Sequence, residues 1–192
     1  MKDLRIGFAV TGSFCTIEQI FTQMKQLVDM GNNVIPIVSF AVASTDTRFG
    51  TAAYFKGRMK EITGNAPIET ITAAEPIGPK ALLDVLLISP CTGNTLSKLA
   101  NAVTDTPVTM AYKAHMRNQR PVVIALSTND GLSANAKNLG VLLNVKGVFF
   151  VPFGQDDPIK KTTSLIANFD LTADTLKKAL LNEQIQPLLL KS

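Results

Sequence analysis

The sequence predicts an α/β protein, a three-layer α/β/α sandwich around a mostly parallel sheet, and three observations carry that expectation. Five short β-branched runs, at residues 6–10, 34–39, 85–89, 122–127 and 148–153, are nearly continuous in apolar residues, as strands covered on both faces must be. Segments of helical period separate them, and the connections are short, with no linker, repeat or low-complexity stretch. Strands alternating with helices and joined by right-handed crossovers give the sheet called Rossmann-like or flavodoxin-like.

Each element follows from its residues. After the first strand, Ile17, Ile20, Phe21, Met24, Leu27 and Val28 recur at helical spacing, and the run stops at Gly31, a usual helix terminator. With the second strand this makes a βαβ unit. Tyr54, Phe55, Met59 and Ile62 predict a second helix closed by Gly64, and "TAAEPIGPK" at 72–80 reads as a surface loop. Beyond the third strand a helix is expected over 96–103, and "AYKAHMRNQR" is helical in pattern. Residues 139–143 are part of another helix. A last helix is expected over 172–182, with Thr172 as N-cap and its end ahead of Pro187.

Composition bounds the function. A chain of 192 residues with 46% hydrophobic residues suffices for one domain spanning 1–192. The net charge is +4, and the Lys and Arg are scattered, which speaks against nucleic acid as a partner. Apolar runs such as "DVLLISP" and "PVVIALST" end within about ten residues, short of the ~20 that span a bilayer, so no membrane segment is expected. "MKDLRIGFAV" puts charges inside what would be a signal peptide, and a cytoplasmic location is expected. Cys15 and Cys91 form no CxxC pair, so no metal site is expected.

In an open parallel sheet ligands bind beyond the carboxyl ends of the strands. The segments there are polar and almost uncharged: Thr11, Gly12 and Ser13 after the first strand, Ser39 after the second, "SPCTGNT" at the third and "STND" at the fourth. Small hydroxyls, glycines and amides suit a phosphate held by backbone N–H groups and hydroxyls. Gly7 to Gly12 have the GxxxxG spacing of a P-loop, but Ser13 and Phe14 stand where its Lys and Ser/Thr belong and Gly7 falls inside the strand, which argues against a triphosphate. GxGxxG is absent and no acidic residue closes the second strand, which excludes a dinucleotide. A mononucleotide remains, beside the plainer alternative that the Thr-Gly-Ser turn only caps a helix.

"ISPCTGNTLSKLANAVTD", residues 88–105, together with "VTGS", resembles the flavoprotein family of the cysteine decarboxylases. Those proteins carry a Pro-Ala-Ser-Ala-Asn-Thr segment leading into a helix, and Pro90, Asn94, Thr95, Lys98, Ala100 and Asp105 match it. The resemblance implies bound FMN. It places Thr11, Gly12, Ser13 and Ser39 at the phosphate, Thr92, Gly93, Asn94 and Thr95 at the ribityl chain and flavin ring, and Ser127 and Thr128 at the border of the same pocket.

The departures are informative too. The decarboxylases use a histidine ahead of the Asn-Thr segment, and here no histidine precedes His115, which reads as a partly exposed helical residue. Their Pro-x-Met-Asn segment appears as "STND", leaving Asn129 as the candidate catalytic group, able to hold a carboxylate. "TGN", "RNQ", "STND" and "PFGQD" followed by Lys and Ser-Leu resemble one branch of the family. That branch implies oxidation of dihydrodipicolinate, a dihydropyridine dicarboxylate, to dipicolinate during spore formation, together with a partner subunit that looks like a nicotinamide-dependent dehydrogenase. A homo-oligomer is also expected. The alternatives are a lyase of the decarboxylase type and a non-catalytic scaffold subunit. Lys160, Lys161, Arg117 and Lys113 are candidate counter-charges for a dianion, though solvated surface positions suit them better. Cys15 is expected to pack in a first helical turn and Cys91 to form a pocket wall, neither with an activating base in sight.

Overall fold

The computed structural model describes residues 1–190; Lys191 and Ser192, the end of the expected domain, lie outside the described residues. Seven strands are β1 (Arg5–Val10), β2 (Asn33–Val38), β3 (Val85–Cys91), β4 (Val122–Thr128), β5 (Val148–Phe150), β6 (Phe153–Asp157) and β7 (Lys161–Ala167). Eight helices are α1 (Ile17–Asp29), α2 (Phe40–Ser44), α3 (Ala52–Thr63), α4 (Ile71–Ala74), α5 (Gly93–Ala100), α6 (Pro107–Met116), α7 (Ala136–Leu143) and α8 (Thr172–Leu180). The sheet runs β2-β1-β3-β4-β7-β6, with β5 also on β4. All pairings among β1 to β5 are parallel, so the α/β architecture is as expected.

The order of the strands places the ligand crevice. From β1 the chain moves outward to β2, whereas from β3 it moves the other way to β4. Right-handed crossovers therefore put α1 on one face and α5 and α6 on the other, and the connections part between β1 and β3. Both strands are buried along nearly their whole length, in one apolar cluster that also takes Ile20, Met24, Leu96 and Val108 from the helices. Hydroxyl side chains start most helices: Ser39, Thr51, Thr70, Thr92 and Thr106 cap α2, α3, α4, α5 and α6, each stabilising its helix by about 1 kcal/mol. Gly31 and Gly64 follow α1 and α3 with positive φ, as their positions in the sequence predict.

Four expectations are corrected. The fifth run is not one strand: Val151 still bonds Ile124, but Pro152 has no N–H for the ladder, and Phe153 instead opens an antiparallel hairpin of β6 and β7. β4 therefore serves two neighbours on one edge, β5 beside Val122 to Ile124 and β7 beside Ser127 and Thr128. Residues 72–80 hold helical turns rather than open loop, with α4 passing into a 3₁₀ turn at Glu75–Ile77. Helix α5 starts at Gly93, three residues ahead of its expected start, because Thr92 caps it. Thr172 does not cap α8; its hydroxyl donates to the Phe169 carbonyl at 2.6 Å, and Leu171 holds the cap position.

His115 is a fifth correction, because it is fully buried on α6 rather than partly exposed. Its Nε2 lies 3.0 Å from the Pro121 carbonyl, while Nδ1 has no partner among the described residues. Burial lowers its pKa from 6.5 to about 4. The folded chain then binds fewer protons than the unfolded one between those values, so this group's stability is full above pH 6.5 and is lost as pH falls through the window. The loss is about 3 kcal/mol by pH 4. Urea midpoints measured from pH 7 to pH 4 should show it as a steeper decline than in His115→Gln.

Candidate functional site

A cavity of about 430 Å³ opens at the carboxyl ends of β1, β3 and β4. Gly12 to Thr16, Thr92, Gly93 and Ser127 to Asn129 line it, with Arg48 and Phe49 on one side and Asp156, Lys161 and Ser164 to Ile166 of the hairpin on another. The volume suits a small organic ligand or cofactor.

The ends of β1 and β3 are tied by Thr11, which is buried. Its hydroxyl donates to the Pro90 carbonyl at 2.7 Å and accepts from the Thr92 amide at 3.0 Å. Ser13 N–H turns back to the Thr11 carbonyl at 2.8 Å, and the Ser13 and Ser127 hydroxyls meet at 2.7 Å across the cavity floor. The tight turn leaves the first amides of the following helical turn, at Phe14 and Cys15, without an acceptor among the described residues. Thr92 caps α5 by accepting from the Thr95 amide, and the buried Thr95 hydroxyl lies 3.2 Å from that of Thr92.

Gly93 is a packing requirement. A Cβ there would collide with Asp130 Oδ1 and lie 2.5 Å from Thr128 Oγ1 and 2.6 Å from Asn135 Nδ2. Those three groups form one network: Asp130 accepts from the Thr128 hydroxyl and, at 2.7 Å, from the Asn135 amide, and Asn138 continues the chain to Asn135 at 2.8 Å. The network fixes Thr128 at the cavity wall. Asn129 also lines the wall, where its Oδ1 accepts from the Ser164 hydroxyl at 3.3 Å.

The structure thus brings Gly12, Ser13, Thr92, Gly93, Ser127, Thr128 and Asn129 to one cavity. Thr11 and Thr95 lie behind it as buried hydroxyls. Ser39 caps α2 through the Val42 amide, and Asn94 is exposed on α5; neither is on the cavity lining. The cysteines exchange their expected places. Cys15 is exposed and lines the cavity, while Cys91 is wholly buried and off the lining, its thiol pKa pushed far up by desolvation. Lys161 lines the cavity in an ion pair with Asp156, but Lys160 is at the hairpin turn, and Lys113 and Arg117 line a separate cavity beside α6. His115 is on neither.

Sequence reasoning missed Arg48, Phe49 and the hairpin residues 164–166. "TRFG", an exposed cation and aromatic between two helix caps, was the available signal for the first pair. The hairpin residues give little, because they reach the site only through the divided edge of β4. Hydroxyls and free amides at the floor, the apolar side chains of Phe14, Phe49, Leu165 and Ile166, and two cations make up a donor set that fits a phosphorylated aromatic ring system. Among the described residues no cluster of His, Cys, Asp and Glu could hold a metal ion, and no helix is long and apolar enough to cross a membrane.

The family profile described as Flavoprotein matches residues 1–179. The chain is 51% identical over 192 residues to the B subunit of dipicolinate synthase from Bacillus subtilis (strain 168), covering 100% of this chain and 96% of that protein. Among solved structures, the dipicolinate synthase B subunit of Bacillus halodurans superposes with a TM-score of 0.91 at 42% identity, covering 100% of this chain and 98% of that one. Burkholderia xenovorans DmrB in complex with FMN shares the fold, with a TM-score of 0.70 at 16% identity over 93% of this chain and 96% of that one.

Proposed function

Because the chain belongs to the flavoprotein family, we propose that it is the flavin-binding redox subunit of a dipicolinate synthase, a single flavoprotein domain that acts with a dehydrogenase-like A subunit in the oxidation of dihydrodipicolinate to dipicolinate. The likeness to two B subunits of that enzyme over nearly their whole length supports the reading. The observation that carries it is the donor set of the cavity at the parting of β1 and β3, where neutral hydroxyls and free amides lie next to apolar walls.

The cofactor is FMN. Gly12, Ser13 and the free amides after them hold its phosphate, with Thr11 and Ser39 shaping the two turns around it. Thr92, Gly93, Ser127 and Thr128 border the ribityl chain and ring, and Asn94 and Thr95 set the first turn of α5 beneath them. When bound, FMN supplies a two-electron acceptor. Asn129 meets a carboxylate of the substrate and orients it, while Lys161 stays paired with Asp156 at the cavity rim. A lyase of the decarboxylase type is disfavoured by the placement of the chain's single histidine, buried away from the cavity. The chain assembles as a homo-oligomer beside its partner subunit, in the cytoplasm of a sporulating cell.

Reconstitution tests the reading. Purified chain mixed with FMN and desalted should stay yellow, with the flavin absorption bands shifted from those of the free cofactor. A colourless product would leave the scaffold role in its place.

A further inference from the structure

Resting on the flavin reading above, we infer that Arg48 is the counter-charge for the ligand's phosphate and that it makes the cavity select FMN over riboflavin. A phosphate monoester carries close to two negative charges at neutral pH, yet the turn after β1 offers only hydroxyls and amides. Among the described residues two cations line the cavity, Arg48 and Lys161, and Lys161 is engaged by Asp156. Arg48 has no carboxylate partner among the described residues. An unpaired guanidinium, with its fork of N–H donors, suits a phosphate oxygen pair better than a lysine would.

The segment that presents Arg48 is built rather than loose. Thr47 and Gly50 exchange backbone hydrogen bonds at 2.9 and 3.1 Å, and the Thr47 hydroxyl accepts from the Phe49 amide at 3.1 Å. Asp46 accepts from the Ala52 amide at 2.9 Å and so ties the turn to α3. Gly50 has φ of 148°, and a Cβ there would lie 2.9 Å from both the Tyr54 and Phe55 rings, so the turn rests directly on α3. Phe55 in turn stacks on Phe14 with ring centroids 5.6 Å apart, and Phe14 lines the cavity beside the free amides. The guanidinium itself lies over the Phe49 ring, 4.8 Å from its centroid, which holds it by a cation–π contact and limits the freedom lost on engaging a ligand.

Titration of the full chain with FMN and with riboflavin, which differ only in the phosphate, separates charge pairing from ring packing. Arg48→Gln should weaken FMN at least about tenfold, the loss of one charge-assisted hydrogen bond. Riboflavin affinity should stay within twofold, and Arg48→Lys should restore part of the FMN affinity. Added salt should weaken FMN binding in the wild type more than in Arg48→Gln. Equal losses for both flavins, or no loss for either, would overturn the assignment while leaving the flavin site intact. A wild-type chain that binds neither flavin would overturn the flavin reading itself, and this assignment with it.

Discussion

Ser13→Asp is expected to lower FMN affinity by about a hundredfold or more while the chain stays folded. Ser13 lines the cavity, its hydroxyl is 2.7 Å from that of Ser127, and Phe14 and Cys15, whose amides have no acceptor among the described residues, line the same cavity. A carboxylate there would face a phosphate at roughly 4 Å in a half-buried site, where like charges repel by about 4 kcal/mol at an intermediate effective dielectric. Screening by solvent at the open mouth reduces this, and a hundredfold is about 2.8 kcal/mol. Ser13 makes no capping bond and belongs to no apolar cluster, so the urea midpoint should hardly move. Ser39→Asp is a graded comparison. Aspartate caps a helix as well as serine, and Ser39 is off the cavity lining, so its effect on FMN should be smaller. Undiminished affinity in Ser13→Asp, measured by titration of the desalted protein, would remove the turn after β1 from the phosphate site.

How far the sequence exposes this arrangement depends on how local the cause is. Strands such as 85–89 are legible because a strand covered on both faces must be apolar throughout, and Gly31 and Gly64 are legible because a positive φ after a helix selects glycine. The floor of the cavity is legible for a topological reason: residues at the carboxyl ends of β1, β3 and β4 converge wherever crossovers diverge, so Ser13, Thr92 and Ser127 could be named without coordinates. The hairpin of β6 and β7 is not legible in the same way. "VFFVPF" reads as one apolar run, and only Pro152, which cannot donate to the ladder, marks where the chain leaves β4 and returns to it in the opposite sense. Arg48 is hidden for another reason, since its position depends on how a turn rests on the rings of Tyr54 and Phe55. His115 shows the same limit, because burial of one helix face is decided by what packs on it.

No dipicolinate should form when this chain, loaded with FMN, is given dihydrodipicolinate alone, and synthesis should appear when the dehydrogenase-like partner is added. Making the aromatic ring removes a hydride and a proton from the dihydropyridine, which requires an electron acceptor and a base of suitable pKa. The chain is well furnished for the first and poorly for the second. Asn129 carries a carboxamide that takes no proton, and Asp156 is committed to Lys161. Asp130 has both carboxylate oxygens engaged, accepting from the Thr128 hydroxyl and the Asn135 amide, and it is not on the cavity lining. The Cys91 thiol is driven up by burial and is off the cavity. Cys15 is at the cavity, but the chain's single histidine, with its pKa lowered to about 4 by burial, is not there to activate it. On the proposed reading, a base supplied by the partner, or a site completed at the junction of the two proteins, would fill that gap. The decisive comparison is the rate of dipicolinate formation, followed by the ultraviolet absorbance of the aromatic product, for the partner alone, this chain alone and the mixture. Formation by this chain alone would show that a proton acceptor exists within it, with Asp130→Asn and Cys15→Ser as the variants to locate it. Formation by the partner alone at the rate of the mixture would remove the redox role and leave this chain an accessory to the dehydrogenase.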